Sequence, residues 1–178
     1  MNTISTTKIW DDQQYDTIID VRSPSEFNED HIPGALNLPV LDDKEREKIG
    51  TIYKKKSPFE AKVLGSSLVA KNISEHLIKN LKNKNGAWKP LVYCWRGGQR
   101  SRALCLIMQE IGWRVNQLEG GYKHYRNDIQ KRLQKISSKL KIILISGKTG
   151  TGKTKLLNQI KLNNGQILDL EGIACHKG

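Results

Sequence analysis

Leu91-Val92-Tyr93-Cys94-Trp95-Arg96-Gly97-Gly98-Gln99-Arg100-Ser101 passes from an apolar run into a glycine-containing loop. Beyond it, Ala103, Leu104, Ile107, Met108 and Ile111 recur at helical spacing until Gly112. The reading is a buried strand, a tight turn and a helix N-terminus. Two glycines let the backbone curl so that successive N–H groups converge on one point, and the positive end of the helix dipole adds to their pull on an anion. Cys94 stands at that point. Its thiolate is the candidate nucleophile, and the loop from Trp95 through Arg96, Gly97, Gly98, Gln99 and Arg100 to Ser101 is the candidate cradle for a chalcogen or oxyanion. The bland alternative is a small buried residue at a strand end, which the flanking glycines and arginines argue against. Cys105, on the apolar side of the following helix, reads as core.

Working outward, residues 17–21, 35–38 and 115–118 form further short apolar runs, alternating with helical segments. This is the α/β pattern of a mainly parallel sheet flanked by helices. In the long stretch 42–86, Ala61, Leu64, Leu68, Leu77, Ile78 and Leu81 recur at spacings that predict an amphipathic helix packed on the sheet, closed by the polar residues 82–86. After Gly120-Gly121, the apolar residues Ile129, Leu133, Ile136 and Leu140 predict a polar helix bridging two units, with a boundary near Ser137-Ser138. The expected domains are residues 1–137 and 138–178.

The second unit opens on an apolar run, 142–145, expected as a strand. Gly147-Lys148-Thr149-Gly150-Thr151-Gly152-Lys153-Thr154 follows and spells a complete phosphate-binding loop, and a segment of helical periodicity comes after it. The expectation is the first strand, loop, helix and strand of a P-loop domain, led by Lys153 and Thr154. Such a domain normally needs several more strands, so the sequence reads as carrying only part of one. Asp169 and Glu171 either line the same cleft or cap a strand.

Of 178 residues, 30 are Lys or Arg and 18 Asp or Glu, a net charge of +12. Between residues 121 and 161, eleven basic residues (Lys123, Arg126, Lys131, Arg132, Lys135, Lys139, Lys141, Lys148, Lys153, Lys155 and Lys161) face the single acid Asp128. That clustering fits a polyanion such as RNA, or equally a solvated basic connecting helix. Three cysteines, an odd number and widely spaced, argue against a disulfide framework, and no apolar stretch approaches the ~18 residues of a membrane span. No leader segment is evident, and a cytoplasmic, reducing setting is expected. No metal site is read, the Cys175-His176 pair included.

Asp20-Val21-Arg22-Ser23-Pro24-Ser25-Glu26-Phe27, followed by His31-Ile32-Pro33-Gly34-Ala35-Leu36-Asn37-Leu38-Pro39, resembles the N-terminal signature of rhodanese domains, with Cys94 where their catalytic cysteine lies. Leu118-Glu119-Gly120-Gly121-Tyr122 resembles their final strand and turn. The resemblance implies a rhodanese-like fold in which Asp20 and Arg22, at the end of a central strand, brace the cysteine loop. In one respect the loop departs from that pattern, because Gln99 holds the fifth place after the cysteine and Arg100 comes one later. A longer loop also occurs in phosphatases that share the fold, which keeps phosphate-ester hydrolysis as a rival, although their acidic and serine-rich loop character is missing here.

A rhodanese domain joined directly to a P-loop, from about Tyr15 to the last residue, resembles the tRNA 2-selenouridine synthase family. The resemblance implies replacement of sulfur by selenium in wobble 2-thiouridine of tRNA, with selenophosphate as donor, and geranylation of the same sulfur from geranyl diphosphate. Cys94 would carry or relay selenium. The phosphate loop would grip the diphosphate, with Mg2+ on the Thr154 hydroxyl where a metal is used. Members of that family continue well beyond the position of Gly178, so the expectation includes a missing C-terminal half or a complementing chain. Two other readings remain open: a sulfurtransferase cycling Cys94 through a persulfide, and a non-enzymatic RNA-binding remnant. Trp95 either stacks on a base or packs at the strand end.

Overall fold

The computed structural model describes residues 4–8, 10, 14–137 and 139–174. Chain contacts divide it into two units, one running up to Lys135 and the other from Ile136 onward.

The first unit is built on a five-stranded, all-parallel sheet. Its strands are β1 (Thr6–Thr7), β2 (Thr17–Asp20), β3 (Leu36–Asn37), β4 (Pro90–Tyr93) and β5 (Asn116–Leu118), in the order β1-β5-β4-β2-β3. β2 and β4 are central, in the register Thr17 to Pro90 through Asp20 to Tyr93. Successive side chains of a strand point to opposite faces, so the apolar residues of both strands feed two cores. Ile19, Val92 and Cys94 join Ile73, Leu104, Cys105 and Met108 on one side. Ile18, Leu91 and Tyr93 join Ile32, Leu118, Tyr122 and Tyr125 on the other. Each such aliphatic side chain contributes about 1.5–3 kcal/mol when fully buried.

The helices of this unit are α1 (Pro24–Glu29), α2 (Asp43–Lys55), α3 (Pro58–His76), α4 (Gln99–Ile111) and α5 (Gly121–Ser137). Where the sequence predicts one amphipathic helix within 42–86, the chain forms two, followed by a wider π-type turn, Leu77–Leu81. The break lies at Ser57-Pro58: proline has no N–H to continue α2 and disfavours helical backbone in the residue before it. Ser57 then caps α3, accepting from the backbone N–H groups of Phe59 and Glu60. Asp42 and Glu45 close a reciprocal capping box on α2. Of the expected buried stripe, Ala61 and Leu81 are buried, whereas Ile78 is 65% exposed. β1 was not predicted. Two threonines carry no alternation, and its place is set by pairing with β5 alone.

The second unit holds α6 (Lys153–Leu162) and the short α7 (Leu170–Ile173). Residues 142–145 are not a strand, because none of the described residues after β5 pairs in a ladder, and an extended segment without a neighbour has no partner for its N–H and C=O groups. None of the described residues of this unit is buried, and Ile142, Ile143 and Leu144 are 75–81% exposed. In place of the expected second strand comes α7, capped by Asp169, whose carboxylate accepts from the Gly172 N–H. Cys175 and His176 lie outside the described residues. Among the described residues, no helix is long and apolar enough to cross a membrane.

Candidate active site

β4 ends at Tyr93, and the chain turns at once into the loop that opens α4. Cys94, 4% exposed, lies at this turn on the core side shared with Val92. Its Sγ accepts hydrogen bonds from the Gly98 N–H and the Ser101 hydroxyl, both at 3.2 Å. Gly98 is the residue before α4, so the sulfur sits at the positive end of a 13-residue helix. Two donors and the positive end of the helix thus face the sulfur.

Three groups hold the loop in place. First, the amides that open α5 reach back: Tyr122 N–H donates to the Cys94 carbonyl at 2.9 Å and Lys123 N–H to that of Trp95 at 3.0 Å. The close approach requires Gly97 (φ +66°) and Gly121 (φ +57°) to lack side chains. Second, Arg22 and Asp20 form a buried ion pair, 1% and 0% exposed, with Nη2 2.7 Å from Oδ2. Burial works against the Arg22 charge, yet the Asp20 hydrogen bond and charge raise its pKa overall. The Arg22 guanidinium also donates to the Asp30 carbonyl at 2.6 Å and lies 4.1 Å from the Tyr122 ring centroid. The Tyr122 hydroxyl donates to the Asp30 carboxylate. Burial, reinforced by that bond, pushes Tyr122 up to about 12. The Arg22 guanidinium also lies 5.9 Å from the ring centroid of Trp95, so the Asp20–Arg22 pair meets the loop through the Tyr122 and Trp95 rings.

The third group is Glu26, which the sequence did not single out. It grips Arg100 in a two-pronged pair at 2.6 and 3.2 Å. Burial raises the Glu26 carboxyl, but the Arg100 hydrogen bond and charge, with help from Ser23 and Arg46, hold it below the usual carboxylate range. Of the two loop arginines expected to meet a ligand, Arg100 is thus committed to Glu26, whereas Arg96 is exposed. Trp95 is also exposed, its ring tilted 5.5 Å from that of Tyr122, and Gln99 begins α4 on the surface. Cys105 is fully buried, which together with the neighbouring Cys94 pushes its thiol up to about 12. Behind the first turn of α4, a cavity of about 780 Å³ opens between α2, α3 and α4, lined by apolar residues such as Ile49, Val69 and Ile107.

In the second unit, Gly150 and Gly152 take positive φ values of 84° and 80°, curling residues 147–154 ahead of α6. Thr151 Oγ1 donates to the Lys148 carbonyl at 2.8 Å, and the Lys153 ammonium folds over the loop onto the carbonyls of Gly147 and Lys148 at 2.8 and 3.0 Å. Among the described residues, no three His, Cys, Asp or Glu side chains gather as a metal site.

A parallel sheet whose central strand delivers a cysteine into a loop at a helix N-terminus defines the rhodanese class. The chain belongs to that family, the Rhodanese-like domain, whose sequence model matches residues 6–128. Residues 140–178 match a second family, the tRNA 2-selenouridine synthase AAA domain. Among individual proteins, the tRNA 2-selenouridine synthase of Bdellovibrio bacteriovorus is 39% identical over 174 residues, covering 93% of this chain and 44% of the relative. That of a Sulfurovum species is 40% identical over 169 residues, covering 90% and 43%. The chain thus spans under half the length of these relatives. A crystal structure of the N-terminal domain of a putative ATP/GTP binding protein from Clostridium difficile is 36% identical, with a TM-score of 0.60, covering 70% of this chain and 98% of that one.

Proposed function

We propose that the chain serves tRNA selenation, the exchange of sulfur for selenium in wobble 2-thiouridine, with selenophosphate as donor, received at the Cys94 loop. The observation that carries this reading is the Cys94 sulfur, held at the head of α4 by the Gly98 N–H and Ser101 hydroxyl, in a chain 39–40% identical to the relatives above. Domains 1–137 and 138–178 divide the work. The first presents Cys94 and its loop, Trp95 to Ser101, braced by Asp20 and Arg22. The second presents residues Gly147, Lys148, Thr149, Gly150, Thr151, Gly152, Lys153 and Thr154 to the diphosphate of geranyl diphosphate, with Thr154 offering the loop's hydroxyl to Mg2+.

The order of steps follows from leaving-group chemistry. Alkylating the 2-thiocarbonyl sulfur releases diphosphate and turns that sulfur into a thiolate leaving group. Selenophosphate then adds at C2 through its selenium, the alkyl thiolate departs, and water takes the phosphoryl group to leave the selenocarbonyl. The basic residues of α5, among them Lys123, Arg126 and Lys131, supply backbone contacts that position tRNA without specifying its sequence. A cytoplasmic setting, where tRNA and selenophosphate meet, completes the reading.

Nucleoside mass spectrometry of tRNA decides it, in cells whose only synthase gene encodes this sequence. 2-Selenouridine is expected, and its loss in Cys94→Ser. Unconverted 2-thiouridine in the parent strain overturns the reading. The rhodanese-like fold supports a second reading, in which Cys94 thiolate takes the outer sulfur of thiosulfate, releases sulfite and passes that sulfur to cyanide as thiocyanate. That activity would require Cys94 and be indifferent to Lys153→Ala.

A further inference from the structure

We propose that Gln117 is a positioning residue for Cys94, acting through Ser101: a relay from the Gln117 carboxamide to the Ser101 hydroxyl to the cysteine sulfur fixes where the hydroxyl proton points. The inference rests on Cys94 being the reactive nucleophile. Gln117 lies on β5, 4% exposed, and Ser101 in the first turn of α4 is fully buried. The Gln117 Nε2 lies 2.9 Å from the Gly97 carbonyl, 3.1 Å from the Gly98 carbonyl and 2.7 Å from Ser101 Oγ, and shares its two N–H protons among these three acceptors.

Donor and acceptor chemistry removes the usual ambiguity of an amide. Backbone carbonyls only accept, so the nitrogen, not the oxygen, of the carboxamide must face them. The Ser101 oxygen facing the same nitrogen must then accept, which leaves its single proton for one of two groups at 3.2 Å, the Cys94 sulfur or the Gly98 carbonyl. The Gly98 carbonyl already has the Arg102 N–H as a donor at 3.1 Å, and a thiolate is the stronger acceptor. The proton is directed to sulfur. The Gly98 N–H is the second donor to Sγ, at 3.2 Å.

The test reads Cys94 itself, by its rate of alkylation with iodoacetamide in the full chain at neutral pH, followed on the Cys94 peptide by mass spectrometry, with thermal unfolding recorded alongside. A thiolate that loses a charge-assisted O–H donor is less populated, and the loss exceeds the accompanying gain in nucleophilicity. Ser101→Ala is expected to slow alkylation by about tenfold. Gln117→Glu, whose carboxylate draws the hydroxyl proton away from sulfur, should slow it by a similar factor. The double variant should be no slower than Ser101→Ala alone, because Gln117 acts through Ser101. Ser101→Thr, which keeps the hydroxyl, should retain the wild-type rate. An unchanged rate in Ser101→Ala, or multiplying effects in the double variant, overturns the proposal. Ser101→Ala removes a single atom, so the test stands even where Gln117→Glu lowers stability. Alkylation needs neither selenium nor tRNA: if Cys94→Ser proves active on tRNA, the functional reading fails while the relay is judged on its own.

Discussion

A Cβ on Gly121 would lie 2.6 Å from the amide nitrogen of Gly97, and one on Gly97 would lie 2.6 Å from the carbonyl oxygen of Leu118. The cysteine loop and the turn that opens α5 are thus pressed backbone to backbone, and both glycines hold positive φ. Gly121→Ala is expected to combine left-handed strain with a direct clash and to destabilise the first unit by ~2 kcal/mol or more. Gly98, at φ −96° with open space around its Cα, should accept alanine with little loss. Urea denaturation of the two variants checks the contrast, which disappears if Gly121→Ala unfolds with the wild type.

Asp20→Asn would leave the buried Arg22 guanidinium with its charge uncompensated. A loss of about 3–5 kcal/mol is expected, since breaking one side of a buried pair costs far more than the pair contributes. Chemical denaturation measures it, and a loss under 1 kcal/mol would show that Asp30 and Tyr122 suffice for Arg22.

Glu26 is held below its ordinary value, near 4.5, in the folded protein. A depressed carboxyl contributes stability that is complete above the unfolded value and is lost as pH falls through the folded one. Glu26→Gln should therefore be less stable than wild type at neutral pH, by ~1 kcal/mol for a partly screened pair, and the gap should close in acid. Unfolding midpoints compared across that range decide it, and a gap independent of pH would assign the effect to packing.

The Cys105 thiol, raised to about 12 by burial, should resist iodoacetamide in the folded chain at mildly alkaline pH and react once urea is added. Peptide mass spectrometry reads it directly. Native-state labelling of Cys105 as fast as of Cys94 would place it outside the core.

Residues 142–145, exposed and without a ladder partner, should exchange their amide hydrogens orders of magnitude faster than residues 91–93 of β4. Protection equal to that of β4 would mean that the second unit forms a sheet in solution.

Much of the first unit could be read along the chain because its signals are local. A run such as 91–94, followed by two glycines and a helical apolar stripe, states its own geometry within twenty residues, and so do the phosphate loop and its glycines. Pro58 was equally local, and its break between α2 and α3 could have been read from Ser57-Pro58. β1 could not: two threonines become a strand only because Gln117 and Glu119 donate to the carbonyls of Ser5 and Thr7.

Residue types and spacing were enough to read the fold class and to single out Cys94 and residues 147–154 as candidate sites, since each depends on neighbours a few residues away. Which side chains are spoken for was decided by packing. Arg96 and Arg100 look alike in the loop, yet only Arg100 meets Glu26, 74 residues earlier. Gln117 looks like an ordinary strand residue until β5 pairs with β4 and brings its carboxamide to Ser101 and the loop carbonyls. Hydrogen bonds and ion pairs act over about 3 Å, so partners distant in sequence exist only once the sheet has brought their strands and helices together.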